Sequence, residues 1–370
     1  MKSKRSRMVL LIVLVAIVAL VWFGRHRIHF NWGVFVEQLR LADWRRIAFA
    51  LGCIYVGYVI RAVRWALLVR HNRKLPLLSL LGTQVMGFTA VALIGRVADL
   101  VRPYLVAKKT GLPLSSQVAV YIVERLFDFG SMALIFSIAM IGVPTDEIVR
   151  ATAHGGPVAS LAQHHPMPAL VIERYGGLIL TVMGALFLIA VRVAGEAIAS
   201  LFERGLGAVS QKLGHAAGNK VRTFHAGLDA MRSFGDFAAV SALSLGMWLL
   251  IALAYFQGCR AFVASPELAG ISPSKCVLVM IASGGASMIQ LPVIGWFSQI
   301  GLVMVTLTAV LGARPEAATA CAATLLLVTF LGIMPVGLVW ARFDRVSLTK
   351  VAVESEQAGE GLAHQAEPAG

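Results

Sequence analysis

Residues 118–129, VAVYIVERLFDF, place three charged side chains in the middle of an apolar block that runs from 115 to 143. The block is longer than the roughly 20 residues with which a helix crosses the hydrocarbon core. Its continuous apolarity favours a helix over a barrel strand, in which apolar and polar residues alternate. Glu124 and Asp128 are four residues apart and therefore share one helix face. The stretch predicts a transmembrane helix with a charged inner face.

Similar apolar blocks recur along the whole chain of 370 residues, which has a mean hydropathy of +0.77. Apolar residues make up 58% of the sequence and charged residues 14%, against about 45–50% and about 25% in soluble domains. The pattern predicts an all-α integral membrane protein, a polytopic helical bundle. The apolar blocks span residues 8–23, 47–69, 77–94, 115–143, 176–193, 237–257, 276–294, 300–312 and 317–340.

The net charge of +14 would suggest nucleic-acid binding in a soluble protein. Here the basic residues flank apolar blocks, where they set topology and meet anionic headgroups, so we expect no nucleic-acid partner. The four cysteines lack metal-ligand spacing, and we expect neither a metal nor another cofactor. No phosphate-binding glycine loop, nucleophile elbow or metalloprotease motif occurs in the sequence, so we assign no catalytic residue and do not expect an enzyme.

Basic residues also suggest how the chain is threaded. If residues 77–109 form a re-entrant hairpin, most lysines and arginines of the loops fall on the cytoplasmic side, as the positive-inside rule requires. This topology puts both termini in the cytoplasm and the protein in the cell (inner) membrane, as a multi-pass protein. We divide the amino-terminal region, residues 1–46, into a first span and an interfacial amphipathic helix.

Two parts of the chain share the order of span, interrupted block and span. The first half-repeat covers residues 47–143 with the re-entrant segment 77–109, and the second covers 237–341 with the interrupted segment 276–312. In the predicted topology the two half-repeats cross the membrane in opposite directions. This predicts a bundle of two inverted-topology halves, as in many transporters. Whether 276–312 forms a hairpin or two crossings stays open. We assign 144–236 to an outer loop, a span and an amphipathic linker, and 342–370 to a disordered cytoplasmic tail.

The first candidate site follows the re-entrant block. Arg96, Asp99 and Arg102 are three residues apart and share a face at helical spacing. Two arginines on a kinked element can grip a phosphate, because a guanidinium fork matches phosphate oxygens. The alternative is a cytoplasmic loop whose charges only obey the positive-inside rule.

Glu124, Arg125 and Asp128 form the second candidate site. A charged group in mid-span costs up to about 3 kcal/mol, so these residues must face a polar interior and charged partners. We expect Arg96 and Arg102 to be those partners. The alternative to substrate contact is a structural network of ion pairs.

The remaining candidates are polar or amphipathic. In 283–299, Gln290, Pro292 and Gln299 combine a helix break with uncharged hydrogen-bonding groups, as an opposing half-site would require; the alternative is a glycine-rich packing seam. A further set of candidate residues lies at the end of the second apolar block. These residues are predicted to be snorkelling anchors, whose polar ends reach the membrane interface. The alternative is that they bind a lipid headgroup. The set consists of Arg61, Arg64 and Trp65.

In order and spacing, four motifs between residues 45 and 340 resemble the lysylphosphatidylglycerol synthase transmembrane-region family, also called flippase-like domain proteins. The motifs are Arg61-x-x-Arg64-Trp65, Gly95-Arg96 with Asp99-Leu100-Val101-Arg102-Pro103, Gly111-Leu112-Pro113, and Val123-Glu124-Arg125-Leu126-Phe127-Asp128. The resemblance implies a membrane domain that moves an aminoacylated lipid between leaflets. Ala98 and Asp99 stand where the family usually has Gly and Glu, and 292–299 lacks the family's glycine cluster and acid. These departures leave room for a different substrate.

Full synthases of this family add a soluble carboxy-terminal domain that makes the lipid from aminoacyl-tRNA. Since only about 30 residues follow Trp340, we do not expect lysyl transfer by this chain. The resemblance implies a translocase for a phosphate-bearing lipid, either an aminoacylated phospholipid or a polyprenyl-linked lipid. The alternative is a non-transporting accessory or scaffold protein for envelope-lipid or glycan biosynthesis. Expected partners are anionic or phosphate-bearing membrane lipids, an envelope-biosynthesis enzyme and a second copy of the chain.

Overall fold

The computed structural model describes residues 30–69, 76–141, 233–286 and 294–366, with scattered positions between 175 and 222. The predicted first span at 8–23, most of 144–236, and both Gln290 and Pro292 lie outside the described residues. The helices are α1 Trp32–Leu41, α2 Trp44–Val69, α3 Leu77–Ile94, α4 Val101–Thr110, α5 Leu114–Ile141, α6 Phe234–Arg260, α7 Pro266–Ala269, α8 Pro273–Ala286, α9 Ile294–Leu311, α10 Pro315–Thr329, α11 Met334–Phe343 and α12 Leu348–Ala366.

Helices α2 and α6 pack together along the centre of the bundle. Helix α2 has 26 residues and α6 has 27, and both are largely apolar, although α2 carries four arginines. Helix α6 begins with a capping box, in which the Ser233 side chain accepts from the Asp236 backbone N–H and the Asp236 carboxylate accepts from the Ser233 N–H. The two helices thus form the frame on which the other elements are placed.

Four helical segments in the described part of the chain are long and apolar enough to cross a membrane. Together with the helical character of the described elements, they confirm the predicted all-α, polytopic membrane bundle. Helix α5 has 28 residues, so its length of about 42 Å would also span the hydrocarbon layer. It differs from the four apolar segments in having charged residues in its middle. The four segments are Trp44–Val69, Leu77–Ile94, Phe234–Arg260 and Pro315–Phe343.

The chain reverses between α3 and α4. Gly95, at φ +90°, ends α3; a 3₁₀ turn follows at Arg96–Leu100; and Gly111, at φ +71°, ends α4. Glycine is the residue that adopts such positive φ angles without strain. Leu80 near the start of α3 and Val106 near the end of α4 belong to one apolar cluster, so α4 returns towards the side from which α3 began. The side of the membrane that the tip faces stays a prediction.

Packing between the two halves is reciprocal. Helix α3 of the first half packs against α11 of the second, and α8 of the second packs against α5 of the first. The interrupted segments therefore each contact the last span of the other half. The described part of α8 has 14 residues and is about 21 Å long. The pattern agrees with two related halves, whose inverted threading stays a prediction.

Two predicted boundaries need correction. The interfacial stretch at 30–46 is two helices, since α2 begins at Trp44 and α1 packs against α10. The predicted disordered tail is wrong over 342–366, because α11 continues to Phe343 and Leu348–Ala366 forms α12, which packs on α4; residues 367–370 lie outside the described residues. A stripe of mostly apolar residues at helical spacing holds α12 in place, despite a composition rich in Glu, Gln and Gly. Its buried positions are Leu348, Val351, Ala352 and the polar Ser355.

Candidate functional site

Helix α5 carries a pair of carboxylates on its buried face. Glu124 and Asp128 lie one turn apart, with 1% and 3% of their surfaces exposed. A buried carboxylate is tolerated only with a cation and hydrogen-bond donors around it. The predicted inner charged face of α5 is therefore present, and what surrounds it defines the site.

Arg64 of α2 bridges the two carboxylates. Its Nη1 donates to Asp128 Oδ1 at 2.6 Å and its Nη2 donates to Glu124 Oε1 at 2.5 Å. Nη1 also donates to Ser244 Oγ on α6 at 2.7 Å. The guanidinium is fully buried, and it joins three helices through charge-assisted hydrogen bonds.

Arg61 lies one turn before Arg64 and faces the same pair. Its Nη1 is 3.6 Å from Asp128 Oδ2 and 3.8 Å from Glu124 Oε1. Trp65 is also buried, and its indole N–H donates to Gln117 Oε1 at 3.3 Å. The structure contradicts the prediction that Arg61, Arg64 and Trp65 are snorkelling anchors. The two arginines turn inwards to the carboxylates of α5, and the indole is buried against Gln117.

Arg102 of α4 reaches the same carboxylates from the hairpin. Its Nη1 is 3.2 Å from Gln84 Oε1 and 3.4 Å from Glu124 Oε2. The guanidinium lies over the rings of Phe88 and Tyr121, at 4.5 and 5.0 Å from their centroids. Gly87 of α3 makes this approach possible, because a Cβ there would overlap the Arg102 side chain. The expected contact of Arg102 with Glu124 is thus present.

Arg125 lies at the rim of this group. Its Nη2 is 3.1 Å from Asp128 Oδ2 and 3.4 Å from Glu124 Oε1, yet 31% of its side chain is exposed. Side-chain exposure is 1% for Arg64, 3% for Arg102 and 11% for Arg61. The next residues around α5 are exposed and apolar, as on a lipid-facing surface. They are Ile122, Leu126 and Phe129.

We call these six residues the charge cluster: Arg61, Arg64, Arg102, Glu124, Arg125 and Asp128. Four arginines face two carboxylates, so the cluster carries two excess positive charges. Asp99 lies within electrostatic range of Arg125 and offsets part of that excess; the side chain of Arg96 lies outside the described residues.

Several buried polar atoms of the charge cluster and its surroundings have no hydrogen-bond partner in the described part of the protein. Such atoms are uncommon in folded proteins, and unpaired donors beside excess positive charge are what an anion would satisfy. Asp128 Oδ2, also without a hydrogen bond, is held by ion pairs with Arg61 and Arg125. The donors without a hydrogen bond are Arg64 Nε, Arg125 Nε, Gln84 Nε2, Gln117 Nε2 and Arg61 Nη1, of which Arg61 Nη1 is held by ion pairs with Asp128 and Glu124.

In the second half, Gln299 of α9 belongs to a separate uncharged group. Its side-chain N–H donates to Ser283 Oγ at 2.6 Å, and the Tyr255 hydroxyl donates to the same oxygen at 2.6 Å. These bonds join α6, α8 and α9. The contacts of Gln299 are thus with its own half, and its part in an opposing half-site stays a prediction.

Cysteines and metal ligands add no second reactive centre among the described residues. Groups of three or more side chains that could hold a metal ion are absent from them. Cys259 and Cys321 are 62 positions apart in sequence, and no spacing motif predicts that they meet; their sulfurs are 3.8 Å apart in the core between α6 and α10. Both thiols are buried and free, as packing residues would be.

One signal for the partners of α5 was present in the sequence. Arg61 and Arg64 are three apart on an apolar helix, and Glu124 and Asp128 are four apart on another. Both spacings correspond to one turn, so two helices that pack side by side can align all four charges.

Comparison with known protein families gives a match over most of the chain. The family model for the lysylphosphatidylglycerol synthase TM region matches residues 9–337. This range includes the whole charge cluster and both half-repeats up to α11. No curated protein and no solved structure matches the chain.

Proposed function

Because the chain belongs to the lysylphosphatidylglycerol synthase TM region family, we propose that it moves a lipid with a phosphate-bearing headgroup between the leaflets of the inner membrane. The substrate would be an aminoacylated phospholipid or a polyprenyl-linked lipid. The observation that carries the proposal is the excess of arginine over carboxylate in the charge cluster, buried within a membrane bundle.

Phosphate suits this cluster for two reasons. A guanidinium presents paired N–H donors at the spacing of phosphate oxygens, and several of the donors around the carboxylates are unpaired. A neutral headgroup would leave the excess charge unbalanced at membrane depth, where unpaired charge is costly. An anion of one or two charges would balance it.

The arginine side chains of the charge cluster differ in exposure, and this suggests how a headgroup enters the cluster. Arg125 is the most exposed arginine of the cluster and adjoins the apolar outer surface of α5. A phosphate that approaches from the lipid would meet Arg125 first and compete with Asp128 for it. Arg61 and Arg102 lie deeper and would receive the phosphate next, while the acyl chains remain in the bilayer. Exchange of one anionic partner for another avoids leaving a bare buried charge.

Orientation follows from the loop charges. We place both termini in the cytoplasm, because the lysines and arginines of the loops then gather on that side. The hairpin formed by α3 and α4 would open the cluster towards the cytoplasmic leaflet, and the second half, with Gln299 at its break, would serve the outer leaflet.

The test is a lipid-movement assay with the full chain in liposomes. Fluorescently labelled phosphatidylglycerol, its lysyl ester and a polyprenyl phosphate serve as probes, with labelled phosphatidylcholine as the zwitterionic comparison. We expect protein-dependent movement of at least one of the first three lipids, beyond that of phosphatidylcholine. Arg125→Gln should slow that movement by about ten- to a hundredfold, the value of one charge-assisted hydrogen bond.

Arg125→Gln is preferred to a deeper variant because this partly exposed side chain can be replaced with less harm to folding. Arg40→Gln, on an exposed arginine of α1, is the control for lost surface charge and should move lipid like the parent protein. Absence of movement for every probe, or full activity of Arg125→Gln, would overturn the proposal. A stable co-purifying envelope enzyme together with no lipid movement would favour the accessory role instead.

A further inference from the structure

A surface cavity of about 310 Å³ lies where α11 ends, α12 begins and α4 returns from the hairpin. It is separate from the charge cluster, and no function has been assigned to it above. Four cations and one carboxylate are among its lining residues: Lys108, Lys109, Arg345, Lys350 and Glu354. A concave surface with this charge is suited to an anion.

The carboxylates near this cavity do not balance its cations. Lys109 Nζ is 2.8 Å from Asp344 Oδ2, while Lys108 and Lys350 both lie 3.9 Å from Glu354. Arg345 makes no ion pair with any residue that the structure describes. Two carboxylates thus face four cations, and the unbalanced positive charge lies beside Arg345.

The backbone of Arg345 is unusual as well. Its φ is +53°, and it is the one non-glycine residue with a positive φ among the described residues. The position directly after a helix cap in this conformation is normally glycine, because other L-residues are strained there by roughly 1–2 kcal/mol. The carboxyl end of α11 already has a favourable cation in Arg342, so helix capping does not explain the second arginine.

A second cavity, of about 430 Å³, shares Arg345 with the first. Val339, Arg342 and Phe343 also line it, and Val339 and Phe343 have 56% and 81% of their surfaces exposed. Both apolar residues belong to the last apolar segment, Pro315–Phe343, which ends here. A groove with two apolar side chains and a basic cavity therefore meet at Arg345, at the level where a span leaves the membrane.

We propose that the joint between α11 and α12 binds an anionic phospholipid, with its phosphate at Arg345 and Lys350 and an acyl chain along Val339 and Phe343. An anionic phospholipid and a soluble phosphate share the phosphate anion that Arg345 and Lys350 would bind. The adjoining apolar groove selects the lipid, because it gives the acyl chain a surface that a soluble phosphate would leave empty.

Occupancy of this site would hold α12 on the hairpin. The cavity is lined by both α4 and α12, and Tyr104 of α4 donates to Glu354 of α12 at 3.0 Å. Further along, Gly359 lies against Leu100 at the hairpin tip, two residues before Arg102. A lipid that bridges α4 and α12 would therefore stiffen the element that carries Arg102, and make the charge cluster respond to the lipid composition of the membrane.

The test measures lipid binding rather than transport. The full chain is placed in phosphatidylcholine nanodiscs to which phosphatidylglycerol is added, and retained lipid is counted by native mass spectrometry. The double variant Arg345→Gly, Lys350→Gln removes two cations, and glycine suits the backbone at 345. We expect its apparent affinity for phosphatidylglycerol to fall roughly thirtyfold, on the basis of about fivefold for each basic residue near the surface.

Two controls separate this site from others. Arg40→Gln should bind phosphatidylglycerol like the parent protein, because Arg40 lies exposed on α1 and does not line the cavity. Unchanged affinity in the double variant would overturn the proposal. So would equal competition by soluble glycerophosphate, which would indicate a free-phosphate site. Binding here is independent of lipid movement, so this proposal and the translocase proposal can fail separately.

Discussion

Arg64 and Asp128 are 64 positions apart in sequence, yet Nη1 of Arg64 donates to Oδ1 of Asp128 at 2.6 Å. Both residues are buried. They lie in α2 and α5, two helices that are predicted separately, each from its own run of apolar residues. The contact joins α2 to α5, and the bond from Arg64 to Ser244 extends it to α6. One guanidinium thus ties the first half-repeat to the second.

The side chains of Arg64 and Asp128 should be strongly coupled in their contributions to the free energy of unfolding. We expect Arg64→Gln to destabilise the protein by about 3–5 kcal/mol, because it leaves buried carboxylates without their main partner. Addition of Asp128→Asn should cost less than the sum of the two single changes, with a coupling of about 0.5–3 kcal/mol. Unfolding in detergent, followed by circular dichroism, measures all four proteins. Strictly additive losses would show that the two side chains do not depend on each other.

Loss of a carboxylate should harm the fold more than loss of the loosely held arginine. Glu124→Gln raises the excess of positive charge in the cluster, whereas Arg61→Gln lowers it, and Arg61 makes only long ion pairs of 3.6 and 3.8 Å. We expect the first change to cost about 3–5 kcal/mol and the second clearly less. Melting temperatures of the two variants in the same detergent test the order. The reverse order would contradict an electropositive cluster.

Gly87 should not tolerate a side chain. A Cβ at this position would overlap the Arg102 side chain, so Gly87→Ala must displace Arg102 from Gln84 and Glu124. Overpacking of this kind costs about 1–3 kcal/mol, against the gain of up to about 1 kcal/mol that alanine brings to a helix. We expect a lower melting temperature.

Gly130→Ala is the matched control for Gly87→Ala. Gly130 also lies within a helix, α5, but a Cβ there would meet no atom within 4 Å. Its melting temperature should equal or exceed that of the parent protein. If both variants melt alike, the close approach of α3 and Arg102 is not present in the membrane.

Docking of α12 can be tested with two valines on the same helix. Val351 is 5% exposed and packs on the hairpin, whereas Val353 is 53% exposed. Val351→Asp should release α12, so that amides of residues 348–366 exchange hydrogen faster by about ten- to a hundredfold, the effect of losing roughly 1.5–3 kcal/mol of apolar burial. Val353→Asp should leave their exchange unchanged. Equal exchange in both variants would indicate that α12 is not docked.

Local patterns in the sequence determined the class of this protein. Runs of apolar residues predicted membrane helices, glycines predicted the end of α3, and the spacing of Glu124 and Asp128 predicted one charged face. The same periodicity did not reveal α12, since a polar composition concealed a stripe of only four buried positions: the apolar Leu348, Val351 and Ala352, and the polar Ser355.

Tertiary structure alone decided which charges meet. From sequence, Arg61 and Arg64 had the position of interface anchors, and Arg96 and Arg102 were the expected partners of the carboxylates. In the structure Arg64 lies closest to both carboxylates. Helical periodicity fixes which residues share a face, because it depends on neighbours three or four positions away. Which face of another helix lies opposite depends on the packing of the whole bundle. The composition of a buried ionic cluster follows from that packing.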